Sequence, residues 1–205
     1  MDKFDDVSEP IRAEWDTDPY NQEVWELMNQ IGEDLDRSLR GLREKAEAGS
    51  ILAAICLGEI LFCGLHGASP DRSEAIRWTR FAAQEGSMAG SFQLAEYLEE
   101  NQVFSEAESE YVSLAERGYP PAMYRLARKY WSDSNYEANK SQSVKYFKMA
   151  IASGHLHAKA DFAKLKRAGN FGFWNRIADV FDFFELLVPM AIMLYQYPDG
   201  DLVRR

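Results

Sequence analysis

Small and large apolar side chains recur along the chain at intervals close to the length of a helical hairpin. Gly49, Gly86, Gly118 and Gly154 are separated by 37, 32 and 36 residues. Counting from each glycine towards the C-terminus, the fourth residue is small, the eighth is large and the ninth is small. The small residues are Ala53, Gly90, Ala122 and Ala158, then Gly58, Ala95, Ala127 and Ala163; the large ones are Leu57, Leu94, Leu126 and Phe162. Such columns fall on one side of an α-helix and let neighbouring helices approach and interlock. The pattern predicts one helix, helix A, after each glycine.

A second helix, helix B, is predicted before each of the three later glycines. Thirteen residues before them stand Ser73, Ser105 and Ser141, each followed by Glu or Gln and then by an apolar helical pattern. A serine hydroxyl can accept a hydrogen bond from the free N–H groups of a first helical turn, so these serines are predicted N-caps. The glycines that follow suit the left-handed conformation that commonly ends a helix. Each unit is therefore a hairpin, and stacking buries the face that one hairpin cannot bury alone.

The repeated residues resemble the Sel-1-like repeat, a relative of the tetratricopeptide solenoids. The similarity covers about residues 38–168 and is best over 46–86, where Ala46-Glu47-Ala48-Gly49 is followed by Ala53, Leu57-Gly58, Ser73-Glu74-Ala75-Ile76-Arg77-Trp78 and Ala82-Ala83-Gln84-Glu85-Gly86. The resemblance implies an all-α, right-handed α-solenoid of antiparallel helix-turn-helix repeats. Family members are mostly scaffolds, adaptors and inhibitors, and the motif positions are packing positions, so an activity is hardly implied. The family's glycine-rich turn is reduced here to Gly64-Leu65-His66-Gly67 in one unit and is lost in the others.

The segments that flank the repeats differ from them. Residues 20–48 predict a divergent leading hairpin, with one apolar stripe from Val24 to Ile31 and another from Leu35 to Ala46. Residues 1–19 are acidic and predict a loosely ordered arm, with docking through Ile11 and Trp15 as the alternative. The predicted division is thus an arm at 1–19, a repeat solenoid at 20–170 and a separate C-terminal segment at 171–205.

The C-terminal segment is strongly apolar. Its longest charge-free run, Leu186 to Tyr195, is much shorter than the roughly 20 residues that span a bilayer. Pro189 divides the segment into two predicted helices. A helix pair that caps the solenoid is favoured, because terminal repeats need atypical outer faces. A surface for a partner or a second copy, and association with a membrane interface, remain the alternatives.

Charge is distributed unevenly along the chain. The net charge is −8 over residues 1–40, −7 over 41–120, +7 over 121–170 and −2 beyond, which gives −10 in all. An acidic chain repels nucleic-acid phosphates, so we expect no nucleic-acid binding, and a basic or amphipathic protein partner suits the front half.

The two cysteines and the N-terminal residues together predict the cellular compartment of the protein. Cys56 and Cys63 would lie about 10 Å apart on one helix, beyond the reach of a disulfide. They predict free thiols in a reducing environment. The acidic first residues also lack the apolar core of a signal peptide. We therefore expect a cytoplasmic protein.

Motifs for nucleophilic, phosphate, dinucleotide and zinc chemistry are absent from the sequence. His155 and His157 would point about 200° apart on a helix, so they are interpreted as helix-entry residues and not as a chelating pair. Asp133 to Glu137 has calcium-loop ingredients without the glycine and glutamate of that motif, and predicts a turn. We expect no metal, no cofactor and no enzyme activity. The alternative is a hydrolase with Glu96 in an acidic groove, because some Sel-1-like relatives have been proposed to be hydrolases.

The predicted partner-binding face is the side of helix A that points away from the packing columns. At 100° per residue, the third, sixth, tenth and thirteenth residues after each glycine lie there. In related solenoids the A helices line the concave surface. The candidate residues are Ile55, Glu59, Phe62, Phe92, Glu96, Glu99, Tyr124, Arg128, Trp131 and Lys164. Aromatic anchors flanked by charge are typical of binding hot spots, and packing against neighbouring helices is the alternative role.

These features together predict a non-enzymatic module that binds another protein. It would serve as an adaptor or as an inhibitor, for example a bacterial toxin-neutralising immunity protein. The expected partner is a protein, and a basic protein or a toxin or effector fits best. Assembly of several copies or attachment to a membrane through 171–205 is the alternative function.

Overall fold

The computed structural model describes residues 16–132 and 136–167, except for the side chains of residues 136–138. The predictions for residues 1–15, for the turn at Asp133–Asn135 and for the helix pair at 171–205 lie outside the described residues. Within the described ranges all regular structure is helical. The all-α solenoid of helical hairpins is therefore confirmed.

The helices alternate between A and B along the chain. The A helices are α1 (Asn21–Gln30), α3 (Ile51–Cys63), α5 (Met88–Glu100), α7 (Pro120–Ser132) and α9 (Leu156–Leu165). The B helices are α2 (Leu35–Glu47), α4 (Arg72–Gln84), α6 (Phe104–Glu116) and α8 (Tyr136–Ala152). The chain divides into two compact units, Met1–Gly154 and His155–Arg205. In the first unit each helix packs against the next one, and α3 also contacts α5.

The repeat glycines end the B helices as predicted. Gly49, Gly86, Gly118 and Gly154 have φ values of 100°, 91°, 88° and 84°. This left-handed turn lets the amide of the following residue donate back to the last turn of the helix. Ser50 N donates to the carbonyl of Lys45 at 2.9 Å, and Tyr119 N donates to that of Leu114 at 2.9 Å. The glycine register thus sets where each helix B stops.

The predicted serine N-caps of helix B are wrong. Helix α4 begins at Arg72 and is capped by Asp71, whose Oδ1 accepts from Glu74 N at 2.8 Å. Ser73 is already the second residue of that helix. Ser105 likewise lies inside α6, which starts without a side-chain cap, and Ser141 lies inside α8. Because serine followed by Glu or Gln also suits a first turn, the pattern did not fix the starting residue.

Serine caps occur instead at two A helices, directly after the repeat glycines. Ser50 Oγ accepts from Ala53 N at 3.0 Å, and Ser87 Oγ accepts from Gly90 N at 2.9 Å. In the second unit His155 Nδ1 accepts from Ala158 N at 3.1 Å, which confirms its interpretation as a helix-entry residue. Burial, followed by the charge of His157, lowers the pKa of His155 to about 4. The ring is therefore neutral and able to accept at ordinary pH.

The packing columns form the core of the first unit. Their large and small members are at most 1% exposed at Ala53, Leu57, Leu94, Ala95, Ala122, Leu126 and Ala127. The leading hairpin is confirmed by α1 and α2, with Val24 and Leu42 fully buried. The residues whose spacing defines the repeat were predicted to pack between helices, and their burial in the first unit confirms this.

A buried carboxylate ahead of α1 fixes the start of α3. Asp18 is only 9% exposed. Its oxygens accept from Ser50 Oγ at 3.0 Å, from Leu52 N at 2.9 Å and from Tyr20 N at 2.9 Å. A negative charge is favoured at a helix N-terminus, where N–H groups are free and the helix dipole is positive. The residues just before α1 are thereby attached to the first repeat.

Ion pairs connect successive B helices in the register of the glycines. Arg43 of α2 donates to Glu74 of α4 through two bonds, Nε–Oε1 at 2.8 Å and Nη2–Oε2 at 3.0 Å. Arg80 of α4 pairs with Glu106 of α6. Each arginine stands six residues before a repeat glycine, and each glutamate stands twelve before the next. We call these two pairs the B-helix ladder. It does not continue, because Val112 and Gln142 occupy the same positions at the next step.

Candidate protein-binding face

The predicted binding residues are distributed over three A helices of the first unit and one of the second. Lys164, on α9 in the second unit, is exposed and pairs with Asp161 at 3.1 Å. It is considered with its own unit. The other nine lie on α3, α5 and α7 and are called the A-helix face: Ile55, Glu59, Phe62, Phe92, Glu96, Glu99, Tyr124, Arg128 and Trp131.

On α3 the apolar members of the A-helix face are buried. Ile55 is 8% exposed and Phe62 is 4% exposed. The Phe62 ring stacks in parallel on Tyr97, with centroids 3.7 Å apart, and the Arg72 guanidinium lies 4.8 Å from its centroid. These two side chains pack against neighbouring helices, which was the alternative role stated for them. The half-buried Glu59 remains as the accessible member on α3.

On α5 the aromatic member is partly accessible. Phe92 is half-buried, with edge-on contacts to the rings of Tyr111 and Tyr119 at 5.6 Å each. Tyr111 comes from α6, and Tyr119 directly precedes α7. Phe92 is therefore held in one position by its neighbours while part of its ring remains open to a partner.

Two of the three carboxylates of α5, Glu96 and Glu99, are bound by an arginine from α7. Arg125 Nη2 lies 3.6 Å from Glu96 Oε1 and 3.3 Å from Glu99 Oε2. The Tyr111 hydroxyl donates to Glu99 Oε2 at 3.2 Å. Burial lowers the pKa of Arg125, but its hydrogen bond to Tyr111 and the two carboxylates outweigh this and raise that pKa above its usual value. The network joins α5 to α7 and fixes the charges on both helices.

Arg125 is a functional candidate that the sequence analysis missed. It stands seven residues after Gly118, between the offsets of six and ten that were used to select the face. Its side chain is 41% exposed, close to the 40% of Glu96. The sequence feature that could have indicated Arg125 is its place directly after Tyr124, a predicted binding residue on helix A. Offset alone, however, does not show which carboxylates a long side chain reaches.

On α7 an aromatic ring and a cation lie together. Tyr124 is half-buried and meets Phe147 edge-on at 6.3 Å. The exposed Arg128 guanidinium lies 5.7 Å from the Tyr124 ring centroid, within the range of a cation–π interaction. Trp131 is half-buried, two helical turns after Tyr124. This part of the A-helix face combines aromatic surface with positive charge.

The described residues offer recognition chemistry more readily than reactive chemistry. Across residues 16–132 and 136–167 no group of three or more His, Cys, Asp or Glu side chains is placed to hold a metal ion. Both cysteines are free thiols. Burial raises the pKa of Cys56 to about 12, and burial together with Glu59 also raises the pKa of Cys63. A raised pKa keeps a thiol protonated and unreactive. Among the helices described, none is long and apolar enough to cross a membrane.

Comparison with known proteins identifies the repeat. A family model described as the Sel1 repeat matches residues 52–87 and 120–155. A solved Sel1 repeat protein from Oxalobacter formigenes is 22% identical, with a TM-score of 0.61 over 81% of this chain and 71% of that one. A protective antigen present in uropathogenic Escherichia coli strains, which displays an SLR fold, is 20% identical, with a TM-score of 0.58 over 78% of this chain. This chain spans only 37% of the antigen's length. No curated protein matches the chain. At these identities the two structures establish the fold alone.

Proposed function

The chain belongs to the Sel1-repeat family, and from that premise we propose that it binds another protein through the A-helix face. Sel1-repeat proteins are generally non-catalytic modules for protein–protein interaction. The specific role proposed is that of an adaptor, or of an inhibitor such as a toxin-neutralising immunity protein. The side chains of the repeat motif are buried between helices. Specificity for a partner therefore has to come from side chains outside the motif.

The observation that carries the proposal is the arrangement on α5 and α7. Phe92, Tyr124 and Trp131 are each held by the fold and each partly accessible. Fixed charges flank them, with Arg125 between Glu96 and Glu99. Aromatic and arginine side chains that are already positioned lose little entropy on binding, and they dominate the energetics of many interfaces.

The charges of the A-helix face also give a bound segment a preferred orientation. Glu59 on α3 and the carboxylates of α5 favour basic side chains, whereas the exposed Arg128 on α7 favours an acidic one. We propose a partner whose contacting segment is basic at one end and acidic at the other. Apolar side chains between the ends would contact Phe92 and Tyr124.

The proposal is tested with the double substitution Tyr124→Ala and Trp131→Ala. A partner captured with the wild-type chain is purified, and its affinity is measured by calorimetry for both proteins. Loss of one aromatic hot spot typically costs about 2 kcal/mol, so we expect binding to weaken by at least about tenfold. Far-ultraviolet circular dichroism establishes that both proteins are folded.

The matched control is Ser113→Ala with Glu116→Ala, two exposed positions on the B helix α6. This variant should bind the purified partner like the wild type. If the Tyr124 and Trp131 variant is folded and also keeps wild-type affinity, the A-helix face is not the binding surface.

A further inference from the structure

Large apolar side chains are exposed at the turns that lead from helix A to helix B. In the described part of the chain, four such side chains are exposed, and three of them lie at these turns. Leu65, 38% exposed, lies in the turn between α3 and α4. Val103, 43% exposed, ends the turn between α5 and α6, and Phe104, 54% exposed, is the first residue of α6. Both turns are at the same end of consecutive hairpins. Solvated turns are usually polar, so apolar residues at this end need an explanation.

Both turns are held in an unusual backbone conformation. Among the described residues, the two non-glycine residues with positive φ are His66 at 55° and Gln102 at 64°. His66 directly follows Leu65, and Gln102 directly precedes Val103. Gln102 N donates to the carbonyl of Glu99 at 3.0 Å, and Val103 N donates to that of Leu98 at 2.8 Å. A side chain in the left-handed region is strained, and such strain often accompanies function. Here the conformation fixes the direction in which Val103 and Phe104 leave the turn.

An arginine connects the two turns. Arg72, the first residue of α4, donates from Nη1 to Asn101 Oδ1 at 3.4 Å, and its Nη2 lies 4.0 Å from Glu100 Oε2. The end of the α3–α4 turn therefore lies beside the start of the α5–α6 turn. We call the surface formed by Asp71, Arg72, Glu100, Val103 and Phe104 the turn edge.

The turn edge is surrounded by negative charge. Asp71 is exposed at the start of α4, and the Glu100 side chain is 59% exposed. Glu106 and Glu108 follow Phe104 on α6, where they pair with Arg80 and Lys129. The corresponding turn of the leading hairpin carries the exposed residues Glu33 and Asp34. Six of the residues named here are carboxylates, whereas three, Arg72, Arg80 and Lys129, are cations. A partner that covers Phe104 would have to bring compensating positive charge.

We propose that the turn edge is a second docking surface, which binds a cationic amphipathic segment of another protein. An apolar side chain of that segment packs on Val103 and Phe104, and its lysine or arginine side chains lie against Asp71 and Glu100. The turn edge shares no residue with the A-helix face. It therefore does not depend on the proposed function.

The probe is a fluorescent synthetic peptide of about 18 residues, or five helical turns, with leucine on one face and lysine on the other. Its binding to the full chain is followed by fluorescence anisotropy. The wild type should bind it. Val103→Ser with Phe104→Ser should weaken binding at least about tenfold, and a matched peptide with glutamate in place of lysine should not bind. Ser113→Ala with Glu116→Ala, which belongs to neither surface, should bind the lysine peptide like the wild type.

Two further measurements decide the remaining outcomes. Glu100→Lys leaves the apolar residues in place. It should lower the affinity for the lysine peptide and make that affinity less dependent on salt concentration. This variant tests the proposal even if the double serine variant does not fold. Equal affinity of the double serine variant and the wild type would overturn the proposal, as would equal affinity for the two peptides. So would a wild-type dimer in sedimentation that the serine substitutions convert to monomer, because the occupant would then be a second copy of this chain.

Discussion

Glycine has two separate roles in the repeat, and the conformation of each position decides which one applies. Gly118 ends α6 with φ at 88°, and a Cβ built there meets nothing within 4 Å. Gly90 lies inside α5, where a Cβ would be 2.6 Å from the Cβ of Ala82 and 3.1 Å from its backbone carbon. The first position needs the backbone freedom of glycine, and the second needs its small size. Both were selected by the same spacing in the sequence.

Alanine substitutions separate these roles. Gly118→Ala should lower the free energy of unfolding by about 1 kcal/mol, the strain of a left-handed alanine. Gly90→Ala should lower it by roughly 1–3 kcal/mol through overpacking against α4. Gly32→Ala is the control, because a Cβ at that exposed position also meets nothing within 4 Å and its φ is not positive. Urea denaturation gives all three values. A Gly118→Ala protein as stable as Gly32→Ala would contradict the role assigned to the repeat glycines.

At the scale of the helices, the prediction succeeded where packing sets the pattern. The hairpin register could be predicted because a small residue such as Ala53 and a large one such as Leu57 recur wherever helices touch. Helix starts could not, because a serine near the start is compatible with several caps, and Asp71 is the cap of α4. The contacts of Asp18 join residues about 30 positions apart along the chain. No local pattern indicates such a pair.

The Arg43–Glu74 pair of the B-helix ladder contributes to the free energy of unfolding by an amount that depends on pH. The hydrogen bond from Arg43, followed by that from Trp78, holds the pKa of Glu74 below its usual value. In an unfolded chain a glutamate titrates near pH 4.3. A lowered pKa in the folded state means that the stabilisation is fully present above that pH. It is lost as the pH falls through the lowered pKa.

A double-mutant cycle with Arg43→Met and Glu74→Gln measures this contact. Arg43 is about a third exposed and water weakens the pair, so we expect a coupling of about 1 kcal/mol at neutral pH. The coupling should shrink as the pH is lowered below about 4. Arg40→Met, an exposed position on the same helix, should change stability by less than about 0.5 kcal/mol. A coupling that is the same at neutral and acid pH would mean that packing, and not charge, joins the two helices.

At the scale of the whole molecule, the sequence indicates a binding protein more clearly than it indicates the bound surface. The repeat identifies a Sel1-repeat fold, and the family implies protein binding. The half-buried Trp131 and the buried Phe62 occupy equivalent offsets, thirteen residues after their glycines, and only their neighbours decide which is accessible. Arg125 organises the carboxylates of α5 from a position that the offsets did not include. Accessibility and ion pairing depend on several helices at once, so the spacing within one helix could not determine them.

Hydroxyl-radical footprinting of the purified complex is the most direct test of binding through the A-helix face. The method reports which aromatic side chains become covered, and mass spectrometry assigns each one. We predict that the oxidation of Tyr124 and Trp131 falls when the partner is bound. The oxidation of Phe81 and Tyr146, which lie on the B helices α4 and α8, should stay unchanged. Unchanged oxidation of Tyr124 and Trp131 with new protection of the B-helix aromatics would contradict the account.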